Sequence, residues 1–94
     1  MDKQVRIPLT GRIDSTNAPD VEKQILAELA GVAPDVPVAL DFEKLDYISS
    51  AGLRVLLSAH KAMTAKGGMK VTNVNEIVRE VFEVTGFADI LDIE

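Results

Sequence analysis

One stretch near the middle of the chain decides the fold: Val36-Pro37-Val38-Ala39-Leu40-Asp41-Phe42. The run is almost continuously apolar, and a run of this length is typical of a strand buried on both faces, as in a parallel sheet. Pro37 cannot donate a ladder hydrogen bond, so we expect it at the start of the strand. The sequence therefore predicts a buried strand over 36–42, followed by a connection over Glu43–Tyr47.

Periodic segments on both sides of this run alternate between strands and helices. Strands are predicted at Val5–Leu9, Val36–Phe42, Met69–Thr72 and Ile90–Ile93, with Thr10–Asp14 turning away from the first. Helices are predicted at 18–30 and 50–66, with a third capped by Asn73 or Asn75 and stopped by Gly86. Their apolar faces are Val21, Ile25, Leu26 and Leu29; Leu53, Leu56, Leu57, His60 and Met63; and Ile77, Val78, Val81 and Phe82.

This alternation indicates an α/β fold with right-handed crossovers between strands. We expect one domain over residues 1–94, with a mainly parallel, mixed sheet of about four strands and helices packed against it. Open sheets of this kind place functional loops beyond the carboxyl ends of their strands. Those loops are expected at Thr10–Asn17, Glu43–Ala51 and Asn73–Glu76.

Composition and charge narrow the function classes. The 94 residues contain no cysteine, which excludes disulfides, thiol catalysis and cysteine-based zinc sites. Acidic residues outnumber basic ones, 15 to 10, so a nucleic-acid partner is not expected, whereas an acidic surface suits a basic protein partner. No apolar run approaches the ~20 residues of a membrane span. Met1–Gln4 does not begin a signal peptide, and we expect a cytoplasmic protein.

The loop that leads into the second helix carries the strongest candidate for chemistry. It ends in Ser49-Ser50-Ala51-Gly52. Serines at a helix start are favoured N-caps, and this structural interpretation stays open. The functional interpretation is a phosphate acceptor, since the free N–H groups and positive dipole end of a helix N-terminus accommodate an added phosphate.

At these residues the chain resembles the STAS domain family, the bacterial anti-sigma factor antagonists. The signature runs from Leu40 to Leu57 and includes Asp46-Tyr47-Ile48-Ser49-Ser50-Ala51-Gly52-Leu53. Leu9–Asp14 resembles the first loop of the family, and Lys66-Gly67-Gly68 and Val84-Thr85-Gly86-Phe87 resemble its later segments. The resemblance covers nearly the whole chain in the right order.

The resemblance implies a protein-binding switch, and we expect no catalytic activity, cofactor or metal. Family members bind an anti-sigma factor that is also a serine kinase and so release the sigma factor. The kinase phosphorylates the antagonist at the start of the second helix, and a PP2C-type phosphatase reverses the step. The acceptor lies two residues before the motif glycine, which makes Ser50 the acceptor because Gly52 is that glycine. Ser49 stands where the family has Asp, and it is the second candidate acceptor.

We expect the partner surface to surround this helix start. Its predicted residues are Gly11, Asp14, Ser15, Tyr47, Ser49, Ser50, Gly52 and Arg54. Arg54 follows Ser50 by four residues, the spacing of neighbours on a helix surface, so it can pair with a phosphate or with an acid of the partner.

Three alternatives are open at this stage. The chain can be a constitutive STAS subunit of a lipid-transport ATPase complex or sensor scaffold, with the serines acting only as caps. It can bind a small anion at the helix N-terminus. Carboxylates at Asp14, Asp41, Glu43 and Asp46 can suggest a Mg²⁺ site, although turn formation and solvation explain them better. No nucleophile–base pair is visible, so an enzyme is the function class that the sequence favours least.

Overall fold

A computed structural model describes residues 4–94, and Met1–Lys3 lie outside the described residues. The elements, in chain order, are β1 (Val5–Ile13), α1 (Ala18–Ala30), β2 (Val38–Ile48), α2 (Ser50–Thr64), β3 (Met69–Thr72), α3 (Glu76–Thr85), a single 3₁₀ turn (Phe87–Asp89) and β4 (Asp92–Ile93). The alternating α/β order is the one that the sequence predicts.

The four strands form one sheet in the order β1-β2-β3-β4. Each neighbouring pair is parallel, so the sheet is parallel throughout rather than mixed. Each strand lies directly beside the strand that precedes it in the chain. Because right-handed crossovers that all advance in one direction place their helices on the same face, this order predicts a sheet covered on one side.

Burial along the strands agrees with that arrangement. Ile7, Leu40 and Val71 are register partners, and all three are buried in the core cluster. The neighbouring register row, Arg6, Ala39 and Lys70, belongs to the opposite face and carries two charged side chains. The core therefore lies between one face of the sheet and the helices.

The first two strands are longer than the sequence analysis predicts. β1 continues to Ile13 and β2 continues to Ile48, so the predicted turn over Thr10–Asp14 and the connection over Glu43–Tyr47 are wrong. The tails pair with each other through register shifts between Pro8 and Thr10 and between Gly11 and Arg12. These irregularities disguise the period-2 pattern. The pairing ends with Ile13 opposite Ile48, both buried.

Other boundaries differ at the ends of elements. α2 ends at Thr64 rather than Lys66. The Lys66 ammonium group donates to the Leu29 carbonyl (2.9 Å) in the last turn of α1 and to the Val32 carbonyl (3.3 Å) just after this helix. The last strand is only Asp92–Ile93. The N–H groups of Ile90 and Leu91 donate to the Phe87 carbonyl at 3.0 and 2.8 Å, so these two residues continue the turn of Phe87–Asp89 and do not pair with β3.

Two residues assigned to apolar helix faces are exposed. Ile77 on α3 is 60% exposed, and Leu26 on α1 is 37% exposed. By contrast, α2 also buries Val55 and Ala59, which its predicted stripe leaves out, because this helix packs both on the sheet and on α1. Each helix thus buries an arc whose width depends on how many neighbours it has.

The core is aliphatic apart from one aromatic pair. Phe42 of β2 and Phe82 of α3 are fully buried, with ring centroids 6.2 Å apart. This contact fixes α3 on the sheet. None of the helices within residues 4–94 has the length and hydropathy needed to cross a bilayer.

Candidate functional site

Ser49 is the N-cap of α2. Its backbone is extended, with φ −95° and ψ 178°, and its side-chain oxygen accepts a hydrogen bond from the Gly52 N–H at 3.4 Å. Its own N–H donates to the Ile13 carbonyl at 2.9 Å, and its carbonyl accepts from the Leu53 N–H at 3.0 Å. Ser49 therefore joins the tail of β1 to the first turn of α2. A serine at this position caps the helix without the negative charge of an aspartate.

Ser50, the first residue of α2, differs sharply from its neighbour. It is exposed, and its hydroxyl makes no hydrogen bond to any of the residues 4–94. No acidic residue occupies the first turn of α2, so the positive end of the helix dipole has no carboxylate beside it there. The hydroxyl of Ser50 is accessible to another molecule, in a place where added negative charge is favourable.

Gly52 lies beneath this surface. A Cβ atom at this position would lie 2.5 Å from Cγ1 of Ile48 and 2.9 Å from Cγ2 of Ile13. These isoleucines are the last residues of β2 and β1. The missing side chain lets the first turn of α2 pack directly on the ends of two strands. Sequence reasoning placed Gly52 at the partner surface, whereas in the structure it is buried. Its close packing determines how near the first turn of α2, and therefore Ser50, lies to the strand ends.

The loop between β1 and α1 is held by its own side chains. The Asp14 carboxylate accepts hydrogen bonds from the hydroxyl and the backbone N–H of Thr16, and it pairs with Nε of Arg12 at 3.0 Å. Asn17 accepts from the Asp14 N–H at 2.8 Å and donates to the Arg12 carbonyl at 2.7 Å. The Thr16 hydroxyl is the main cause that lowers the pKa of Asp14 below its ordinary value. Because of these bonds Asp14 organises the turn, and Asn17, although at the N-cap position of α1, makes no capping bond.

A shallow groove between α1 and α2 opens beside this loop. Its walls include Ser15, Pro19 and Glu22 on one side and Arg54 and Ser58 on the other. Arg54 is exposed and forms no salt bridge with any residue in the described range. An unpaired guanidinium thus lies one helical turn from Ser50.

The remaining predicted surface residues lie on the paired tails of β1 and β2. Gly11, with φ 74°, is opposite Leu45, and Tyr47 is opposite Arg12. Tyr47 is 42% exposed. Because parallel strands end at the same edge of a sheet, these tails and the start of α2 share one end of the molecule. Of the predicted set, Gly52 alone is buried.

The carboxylates considered for a metal do not form one site. Asp41 accepts hydrogen bonds from the Asn73 side chain at 2.9 Å and the Glu43 N–H at 3.0 Å, and it faces Arg6 at 3.6 Å. The Asn73 bond, followed by the Glu43 bond, lowers the pKa of Asp41 below its ordinary value. Asp14 belongs to the separate loop network. Across residues 4–94, no three His, Cys, Asp or Glu side chains are grouped so as to hold a metal ion.

The sequence predicts Asn73 or Asn75 as the cap of the third helix, and Asn75 is that cap. The bonds that both asparagine side chains make to β2 were not predicted. Asn75 caps α3 by accepting from the Val78 N–H at 2.8 Å, and its amide also donates to the Leu45 carbonyl at 2.8 Å. Asn73, which adopts φ 57°, binds Asp41. The available signal was the Asn73-Val74-Asn75 pattern itself, since asparagine tolerates positive φ and caps helices.

The sequence matches the STAS domain family over residues 2–94. BtrV of Bordetella bronchiseptica is 40% identical over 86 residues, which cover 90% of this chain and 72% of BtrV. The anti-sigma-B factor antagonist of Bacillus subtilis is 31% identical over 93 residues, which cover 98% of this chain and 83% of that protein.

Solved structures agree on the fold. The Bacillus anti-sigma factor antagonist SpoIIAA is similar to this chain both in its unphosphorylated form (TM-score 0.76, 22% identity) and in its phosphorylated form (TM-score 0.67, 21% identity). Both matches cover 100% of this chain, and they cover 82% and 85% of the respective SpoIIAA chains. At this level of identity the likeness shows the fold.

Proposed function

The chain belongs to the STAS domain family, and we propose that it acts as an anti-sigma factor antagonist, a regulatory protein that binds an anti-sigma factor and is not itself an enzyme. The name of the Bacillus subtilis relative supports this proposal. The observation that carries it is the exposed Ser50 hydroxyl at the start of α2, two residues before a buried glycine. The protein acts in the cytoplasm as one domain over residues 1–94.

The binding surface is the end of the molecule where β1 and β2 lead into α2. Its exposed residues are Gly11, Ser15, Tyr47, Ser50 and Arg54, with Asp14 and Ser49 half-buried among them. The loop network around Asp14 and the packing of Gly52 hold this surface in place before binding. Preorganisation of this kind lowers the entropic cost of association.

Binding is controlled by phosphorylation of Ser50. The partner anti-sigma factor is a serine kinase, and a PP2C-type phosphatase removes the phosphate. A phosphate adds roughly −1.5 to −2 charges at neutral pH. In the interface, removing this added charge from water costs on the order of several kcal/mol, which is enough to separate the two proteins. The existence of a phosphorylated form of SpoIIAA, a protein of the same fold, supports this part of the proposal.

Ser50, rather than Ser49, is the acceptor. Ser50 is exposed and free of hydrogen bonds to the described residues, whereas the Ser49 oxygen is half-buried and accepts the capping bond from Gly52. The helix N-terminus also stabilises the phosphate within the free protein, so the fold survives modification. Arg54 offers a counter-charge one turn away.

The test uses the purified chain, ATP and the candidate anti-sigma kinases encoded in the same genome. Intact-mass spectrometry should show one added phosphate in the wild type and in Ser49→Ala, and none in Ser50→Ala. Ser50→Ala should bind the kinase in a pull-down, and Ser50→Asp should fold normally but bind poorly. Phosphate uptake by Ser50→Ala at the wild-type rate would overturn the acceptor assignment. Co-purification with an ATPase complex, with no phosphate uptake by any variant, would favour a constitutive STAS subunit instead.

A further inference from the structure

The outer face of α3 carries an apolar stripe that nothing within residues 4–94 covers. Val84 is 79% exposed and Ile77 is 60% exposed, and together with the half-buried Val81 they line a shallow groove that also contains Glu80 and Thr85. Successive helix residues turn by about 100°, which places Ile77, Val81 and Val84 on one face. Val78 and Phe82, farther round the helix, are buried in the core.

One flank of this stripe is acidic. Glu80 lies in the groove itself, and helical geometry places Glu76 and Glu83 beyond it on the same side. All three glutamates are exposed, and none forms a salt bridge with another described residue. The basic residue of the helix, Arg79, lies roughly opposite the stripe by the same geometry. The surface therefore combines an apolar centre with a negative edge.

We propose that this surface, Ile77, Val81 and Val84 with the flanking glutamates, docks an amphipathic helix of a partner protein that has Lys or Arg along one edge of its apolar face. Apolar residues of such a helix, spaced by three and four positions, fill the stripe, and its basic edge meets the glutamates. The complementary charges set the orientation and speed the encounter, while the removal of Ile77 and Val84 from water contributes most of the affinity.

The charges argue for this occupant over a second copy of the chain. A two-fold contact that pairs the stripes of antiparallel helices would bring the acidic flank of each copy beside that of the other, while the basic residue points away. Like charges in such an interface are destabilising. The chain as a whole also carries a net charge of −5, which opposes self-association and favours a basic partner.

The helix is rigidly held, which suits it to docking. The Asn75 side chain links its N-terminus to Leu45 at 2.8 Å, and Phe82 packs on Phe42. The surface belongs to α3, whereas the proposed phosphorylation site belongs to α2. The proposal is thus independent of the proposed function and adds a second contact for a protein partner.

The test uses the full chain labelled with ¹⁵N and a synthetic amphipathic peptide of about 18 residues, or five helical turns, with leucines on one face and lysines along its edges. A scrambled peptide of the same composition, in which the leucines no longer form a face, is the control probe. Binding is followed by fluorescence anisotropy and by amide chemical shifts.

We expect the amphipathic peptide to shift the amides of Ile77–Thr85 and the scrambled peptide to leave them unchanged. Val84→Asp and Glu80→Lys should each weaken binding by about tenfold or more, or about 1.4 kcal/mol. Ala27→Asp and Glu28→Lys, which make the same charge changes at exposed positions of α1, should leave affinity unchanged. Because Val84 and Glu80 are exposed, these variants should keep the wild-type Tm.

Three outcomes would overturn the proposal. The first is equal binding of the two peptides. The second is a set of shifts at the start of α2 in place of α3. The third is a dimer in sedimentation that Val84→Asp converts to a monomer, which would assign the stripe to a second copy. None of these readouts depends on phosphorylation of Ser50, so failure here leaves the proposed function standing.

Discussion

The starts of α2 and α3 share one capping geometry but differ in the charge of their first turns. Each has an extended N-cap residue, Ser49 or Asn75, whose side chain accepts a hydrogen bond from the N–H three residues later. α3 has Glu76 in its first turn, but the first turn of α2 has no acidic residue. The dipole of α3 is thus complemented by its own sequence, whereas the first turn of α2 supplies no such charge. This difference supports the proposal that the start of α2 receives a phosphate.

The largest expected loss of stability concerns the packing of α2 on the ends of β1 and β2. Gly52→Ala should destabilise the fold by about 1–3 kcal/mol, because its Cβ would lie 2.5 Å from a buried Ile48 side-chain carbon. Gly31→Ala is the matched control, since its Cβ would meet only the Glu28 carbonyl at 3.6 Å. Urea denaturation measures both. Equal stability of the two variants would show that the strand ends can move aside and that Gly52 is not a packing requirement.

The next effect compares the two caps. Asn75→Ala should cost about 1–2 kcal/mol, at the upper end for N-caps, because Asn75 also donates to the Leu45 carbonyl. Ser49→Ala should cost less, about 0.5–1 kcal/mol, since its capping bond is long at 3.4 Å. Thermal and urea unfolding of both variants provide the measurement. A larger loss in Ser49→Ala would reverse the proposed ranking of the two helix starts.

A smaller change in stability tests whether the dipole of α2 lacks a complementary charge at its N-terminus. Ser50→Asp should stabilise the free protein by about 0.3–1 kcal/mol at low ionic strength, because it places a charge at the start of α2. Glu76→Gln should destabilise α3 by a similar amount, since it removes the charge already present there. Both changes in Tm should shrink in 1 M NaCl as the charges are screened. A Tm of Ser50→Asp below that of the wild type would contradict this account of α2.

The last prediction is a pH dependence at the bond between Asp41 and Asn73, in the loop that leads into α3. The pKa of Asp41 is lowered chiefly by the Asn73 hydrogen bond, so that bond stabilises the fold above the ordinary Asp pKa of about 3.9 and is lost as the pH falls through the lower, folded value. Asn73→Gly removes the bond and tolerates the positive φ of 57°.

The difference in urea midpoint between wild type and Asn73→Gly should therefore be constant near neutral pH and narrow below about pH 4. The pH-independent part of the difference reports the greater chain entropy of glycine in the unfolded state. A difference that stays the same down to pH 2 would show that the Asp41–Asn73 bond makes no pH-linked contribution.

The sequence was a good guide where periodicity and caps are strong. The bounds of α1 and β3 and the start of α2 follow from such signals, and the family motif directed attention to Ser50. The tails of β1 and β2 were missed because Glu43, Lys44 and Asp46 are exposed there and the pairing shifts register twice. Such polar, irregular strand tails look like loops until their partner is known.

Two features of the candidate surfaces also depend on tertiary packing. The pattern of α3 gives one broad apolar arc, and only the packed structure divides it into a buried part at Val78 and Phe82 and an exposed part at Ile77. Likewise, the sequence does not decide which of the adjacent serines, Ser49 or Ser50, caps α2 and which has a free hydroxyl. The capping bond to Gly52 decides which hydroxyl turns inward and which remains outside.

The sequential order of the strands has a consequence for how the chain acquires its shape. Because β2 adds beside β1, β3 beside β2 and β4 beside β3, no strand needs to insert between two that are already paired. Each new strand–helix unit finds its docking edge already present when it leaves the ribosome. We therefore expect folding to proceed vectorially during synthesis, with each strand pairing with the one made just before it and then providing the edge for the next.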